Sequence, residues 1–141
     1  MGLFSGVAGL FNMEAGKKKL IREEINLAEA VEAHIGWKLR LQKYMDGHSE
    51  EKLDPMAVCR DDQCALGKWI HGPALRHFHE DGTFHQLRTD HAQFHLIAGN
   101  VVRHVQAHER TAAQALLDKE YQHTSHKVVY ALTELNRHVS G

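Results

Sequence analysis

Both prolines of this chain, Pro55 and Pro73, fall in one short stretch near its middle. Proline removes a backbone donor and clashes with the preceding turn, so it breaks a helix from within. The long segments on either side escape that obstacle, and their apolar residues recur at helical spacing. No alternating pattern of the strand type competes with them. An all-α fold is the prediction.

At about 100° per residue, Leu27, Ala30, Val31, His34, Trp37, Leu41 and Met45 share one face of a helix predicted over 20–46. Gly47 is its expected C-cap. Residues 47–63 read as a connection rich in glycine, proline and acids, within which Asp54-Pro55 opens a single turn. Asp61 or Asp62 is expected to cap a short helix holding Cys64, Leu66, Trp69 and Ile70. Gly72-Pro73 interrupts that helix, and a second short apolar piece with Leu75 and Phe78 runs to an Asp81-Gly82 turn.

Thr83 and Gln86 form a capping-box pattern for a long helix. Its apolar face carries Phe84, Leu87, His91, Phe94, His95, Ala98, Val102 and Val105. Thr111 and Gln114 repeat the pattern for a last helix with Ala113, Leu117, Tyr121, Thr124, Val128, Ala131, Leu132, Leu135 and Val139 inward. Only about two residues separate these helices, which makes them antiparallel neighbours. The expected architecture is an antiparallel four-helix bundle with a short, broken second helix that carries Cys64.

A chain of 141 residues is the size of one domain with a substantial core. Its formal net charge of −1 gives no basic footprint for nucleic acid. Two cysteines without a secretory signal point to a reducing, cytoplasmic setting, where thiols bind metal or do redox chemistry. Residues 1–19 form an N-terminal extension and 20–141 the bundle. In the extension Leu3, Phe4, Val7, Leu10 and Phe11 keep helical spacing and Lys17, Lys18 and Lys19 follow, so it reads as a membrane-surface anchor, a loose tail or a partner-binding peptide. It is too short to span a bilayer, and Gly6 breaks the myristoylation pattern.

Thirteen histidines are the unusual count. His91 and His95 are four apart on one helix face and can bind one metal together. Both point into the core, as does His34 on a facing helix, and Cys64 supplies a thiolate from the short helix between. A single inward histidine is usually a hydrogen-bonded core residue. Three of them beside a thiol make that account harder, since each buried ring nitrogen needs its own partner. Three imidazoles and one thiolate form a closed tetrahedral set that suits Zn²⁺. A place near a helix N-terminus is expected to lower the Cys64 pKa.

The other histidines read differently. His104 and His108 point away from that face, toward solvent or another subunit. His71, His77, His79 and His85 gather near the short helix, as loop residues or as a weaker second metal set. His48, His123, His126 and His138 form no constellation. Cys59, five residues before Cys64, is either a resolving thiol or a spectator.

The motifs His34-Ile-Gly-Trp37, Cys64-Ala-Leu-Gly67-Lys-Trp69 and His91-Ala-Gln-Phe94-His95 resemble those of the bacterial chemoreceptor zinc-binding domain, over about residues 27–105. The resemblance implies zinc held by His34, Cys64, His91 and His95 in a four-helix bundle, often a homodimer, that regulates chemoreceptors or diguanylate cyclases in the cytoplasm. It also implies sensing of zinc, or of oxidants such as hypochlorous acid through the zinc-bound cysteine, with no catalytic activity. Gly67 then fits a close backbone approach, and Trp37 and Trp69 pack beside the site. No signalling module accompanies the motifs, so output is expected to pass to a separate protein or through the N-terminal segment.

Two other readings compete. A hemerythrin-like di-iron protein is also a histidine-rich bundle, but it needs inward bridging carboxylates, and none falls on these faces. A zinc hydrolase needs an open coordination position, which Cys64 closes.

Overall fold

A computed structural model describes residues 13–140 of the chain, so the apolar positions 3–11 of the N-terminal extension lie outside the described residues. The described part is an all-α bundle. Helix α1 spans Ala15–Glu24 and α2 Leu27–Met45, followed by three short helices, α3 (Pro55–Val58), α4 (Ala65–Ile70) and α5 (Pro73–Phe78). Helix α6 spans Gly82–Gln106, α7 Arg110–Leu116 and α8 Gln122–Ser140, with one wide π turn at Leu117–Tyr121 joining the last two. None of these helices is long and apolar enough to cross a membrane.

The core forms where α2, α6 and α8 bring their apolar stripes together, with α1 laid against α8 and α5 and α3 against α6. Leu27, Ala30, Leu41 and Met45 of α2 are buried as their spacing predicts, as are Phe84, Leu87, Phe94, Ala98 and Val102 of α6. Val128, Leu132, Leu135 and Val139 of α8 close the third side.

The helix ends depart from the sequence expectations in ways that matter for the site. The first helix is two: the backbone turns extended at Ile25 and Asn26, and the Asn26 side chain accepts from Glu29 N at 3.1 Å to start α2 afresh. Helix α1 runs through residues 19 and 20, where the sequence divides extension from bundle, and it buries Ile21. Gly47 does end α2. Its φ of 75° and the bonds His48 N to Lys43 O (2.9 Å) and Gly47 N to Tyr44 O (3.3 Å) make a Schellman turn.

Neither capping box forms. Asp81 caps α6 instead of Thr83, its Oδ1 accepting from Thr83 N at 2.9 Å and Phe84 N at 3.1 Å. A carboxylate is the better acceptor at a helix's positive end. Helix α7 starts at Arg110 after Glu109 with no side-chain cap, and Thr111 lies inside it. Gln114 instead pairs with Gln42 of α2 through two 3.0 Å bonds.

Candidate metal centre

Four residues from three helices converge. His34 (α2), Cys64 (at the head of α4), His91 and His95 (both α6) each offer one ligand atom, all within 4.8 Å of one another. The i, i+4 spacing places His91 and His95 side by side, ring centroids 4.6 Å apart. The three rings are 2%, 0% and 3% exposed, whereas Cys64 is only half-buried.

The Cys64 sulfur is itself the N-cap of α4, accepting from Gly67 N at 3.3 Å. The expectation that Asp61 or Asp62 would cap this helix is therefore corrected. Asp61 turns away to accept from His71 Nε2 at 2.9 Å, and Asp62 bonds Arg60 at 3.3 Å. Gly67 is required here: a Cβ on it would sit 1.7 Å from the Asp61 carbonyl oxygen. The chain folds over that bare position, which holds Cys64 facing the histidines.

The imidazoles are oriented from behind. His34 Nδ1 donates to the Ala30 carbonyl at 2.7 Å, and His95 Nδ1 donates to the Val58 carbonyl at 3.0 Å. A neutral ring that gives away its Nδ1 hydrogen has a bare Nε2 lone pair. Burial keeps all three rings neutral, lowering the pKa of His34 and His95 and bringing His91 to about 2. The Nε2 of His91 lies 3.2 Å from that of His34 and 3.1 Å from that of His95. The Cys64 sulfur stands 3.4 Å from His91 Nε2 and 3.6 Å from His95 Nε2.

Four of the six ligand-atom separations are close to those a zinc tetrahedron would require, and all six lie within 4.8 Å. Zn–N bonds of about 2.0–2.1 Å and Zn–S bonds of about 2.3 Å imply N–N edges of about 3.3 Å and N–S edges of about 3.6 Å. Lone pairs turned on one another in a dry core repel unless a hydrogen or a cation lies between them. The donor set thus fits Zn²⁺, and it includes no carboxylate to bridge two irons. The expected lowering of the Cys64 pKa is corrected for the metal-free chain. Burial pushes the thiol up, outweighing the bonds from Gly67 and Leu66, and Asp61 adds to the rise.

Around the centre, Trp69 is buried and its Nε1 donates to Glu24 of α1 at 3.1 Å. His77 Nε2 bonds the same carboxylate at 3.0 and 3.1 Å. Phe94 packs against His34 and His95 with centroids 5.2 and 5.4 Å away. Trp37 is half-buried under the Arg40 guanidinium.

The remaining histidines stay apart from the centre. His71, His77, His79 and His85 pair with Asp61, Glu24, Glu80 and the His79 carbonyl respectively. Among the described residues they form no second metal set. His104 meets Glu109 at 3.0 Å, and His108 has left the helix with a φ of 61°. Cys59 is free, donating to the Met56 carbonyl at 3.3 Å.

What sequence reasoning missed are the two backbone acceptors, Ala30 and Val58, and the link from Trp69 to Glu24. The carbonyls have no side-chain signature. Glu24 stood out from no other acid on its helix.

A family model described as chemoreceptor zinc-binding domain matches residues 34–102. The match opens on His34 and takes in Cys64, His91 and His95. No curated protein and no solved structure matches the chain.

Proposed function

Because this chain belongs to the chemoreceptor zinc-binding domain family, we propose that it is a sensory zinc protein that converts zinc loss or thiol oxidation into a change of helix packing. His34, Cys64, His91 and His95 are the ligands. The reading rests on one observation above the others: the bare Nε2 atoms of His34 and His95, turned by backbone carbonyls, both converge on His91 Nε2, with the Cys64 sulfur against His91 and His95. Zinc, when bound, supplies positive charge that keeps the sulfur deprotonated and nucleophilic.

Cys64 does two jobs at once, which makes it a sensor. Its sulfur faces the histidines and also caps α4 through Gly67 N. With hypochlorous acid, the sulfur takes the chlorine as hydroxide leaves, and water then displaces chloride to give a sulfenic acid. A sulfur so changed is a poorer ligand and a different cap, so α4 loosens. Trp69 carries that change to Glu24 of α1, a helix hinged from α2 at Ile25–Asn26.

We assign this protein no catalytic role. It acts in the cytoplasm, as a homodimer, on a separate chemoreceptor or diguanylate cyclase. Membrane contact, if made, runs through residues 1–19. The deciding experiment is metal analysis of the purified protein during titration with hypochlorous acid. One zinc per chain, released in step with Cys64 oxidation and retained in Cys64→Ser, supports oxidant sensing. Zinc that oxidant leaves in place restricts the role to zinc sensing or structure, and two irons overturn the reading.

A further inference from the structure

A cleft of about 460 Å³ leads from the surface to the metal centre, lined by Trp37, Arg40, Glu51, Ala57, Cys64 and His95 among others. Exposure orders these residues by depth. The Arg40 and Glu51 side chains are 45% and 41% exposed and mark the mouth, while the sealed His95 and half-buried Cys64 mark the floor. Of the two centre residues that line this cleft, Cys64 is the more exposed, and His95 is buried.

The mouth is strapped. Arg40 lies 3.9 Å over the Trp37 ring and donates to Glu51 from Nη2 at 2.7 Å and from Nε at 3.3 Å. That bond ties α2 to the connection after it, across the cleft they both line. We propose that this cleft is the route by which small thiol-reactive electrophiles reach Cys64, and that the Trp37–Arg40–Glu51 stack is its gate. The inference rests on reading Cys64 as the reactive member of the centre. An exposed ion pair is weak and screened by salt, so the gate opens often, and more often at high ionic strength. The guanidinium's cation–π seat on Trp37 returns it to the closed position.

Iodoacetamide is a suitable probe. The Cys64 sulfur attacks its methylene carbon, an S–C bond forms as the C–I bond breaks, and iodide leaves with the bonding pair. Trypsin cuts after Arg60, so Cys59 and Cys64 fall on separate peptides and Cys59 serves as an internal reference. The experiment follows alkylation of both peptides on the full zinc-loaded chain, with zinc content measured on the same samples. Arg40→Ala and Glu51→Gln each remove the strap from one side and should speed Cys64 alkylation about two- to fivefold, the range of one surface ion pair, relative to Cys59. High salt should speed the parent protein and leave Arg40→Ala unchanged. Ala57→Trp, which fills the cleft from α3, should slow Cys64. Equal Cys64 rates in the parent, Arg40→Ala and Ala57→Trp at equal zinc content overturn the proposal. Failure of the metal reading appears separately, as chains without zinc, and leaves the rate comparison intact.

Discussion

The Val58 carbonyl accepts the Nδ1 hydrogen of His95 at 3.0 Å, and this one bond decides which nitrogen the ring shows to the centre. The Ala30 carbonyl does the same for His34 at 2.7 Å. Val58 ends a four-residue helix, so the short turn that Asp54-Pro55 opens carries an acceptor to the back of the His95 ring. His91 lacks such a partner. Its Nδ1 is buried without a hydrogen bond, which leaves it oriented by its neighbours on α6 and by whatever the three Nε2 atoms share.

Ligand removal should therefore be unequal. Cys64→Ala leaves three converging nitrogens and is expected to weaken zinc binding without abolishing it. His91→Ala combined with His95→Ala should abolish it, and one zinc per chain in that double variant would sink the assignment. In the parent, free zinc at about 100 times its Kd adds about 2.7 kcal/mol, which for a domain of this size raises Tm by about 10 °C. A thermal melt with and without chelator checks both the sign and the size.

The metal-free protein should weaken in acid. Burial holds the His34, His91 and His95 pKa values below normal, His91 at about 2, while the unfolded chain binds those protons near pH 6.5. Below about pH 6.5 the unfolded state binds more protons than the folded one, so stability rises with pH and falls as pH drops. His91 alone contributes a slope of about 1.4 kcal/mol per pH unit. Urea midpoints of chelator-treated protein at pH 7.5, 6.5 and 5.5 should fall in that order, and the double histidine variant should flatten the trend. A parent midpoint independent of pH would contradict the neutral-imidazole core.

Gly67→Ala tests the fold-back that positions the thiol. Its Cβ would lie 1.7 Å from the Asp61 carbonyl oxygen and 3.1 Å from the Asp62 Cα, both backbone atoms that cannot step aside alone. The expected cost is about 3 kcal/mol, at the upper end for overpacking, with zinc stoichiometry reduced because Cys64 shifts with the loop. Gly36→Ala is the control, since nothing lies within 4 Å of a Cβ there. It should gain up to about 1 kcal/mol from helix propensity.

The long helices and the inward histidines were legible because periodicity averages over many residues. His34 in an apolar stripe, and His91 with His95 on another, need only the 3.6-residue repeat to meet. Helix ends were not legible, because single bonds decide them and several side chains compete. Asp81 displaced Thr83 as the cap of α6, and Cys64 took the role expected of Asp61 or Asp62. The break at Asn26 was hidden for the same reason, the apolar pattern running on through it. Glu24 was invisible for another: its partners Trp69 and His77 lie far away in sequence and meet it only through packing.

Tyr121→Phe should stabilise the protein. The ring is buried 5.1 Å from Phe94, at the end of the wide turn 117–121, and its hydroxyl is buried with no hydrogen-bond partner. Burial also drives the phenol's ionisation upward, consistent with a group kept from water. A hydroxyl desolvated without a partner costs about 1–3 kcal/mol. Phenylalanine keeps the ring and deletes that cost, for an expected gain of about 1 kcal/mol and a Tm higher by about 3 °C. The urea midpoint should rise with the m-value unchanged, and zinc content should stay the same. A loss of stability would mean instead that the hydroxyl holds a bonded water, making this turn a hydrated seam between α7 and α8 rather than dry core.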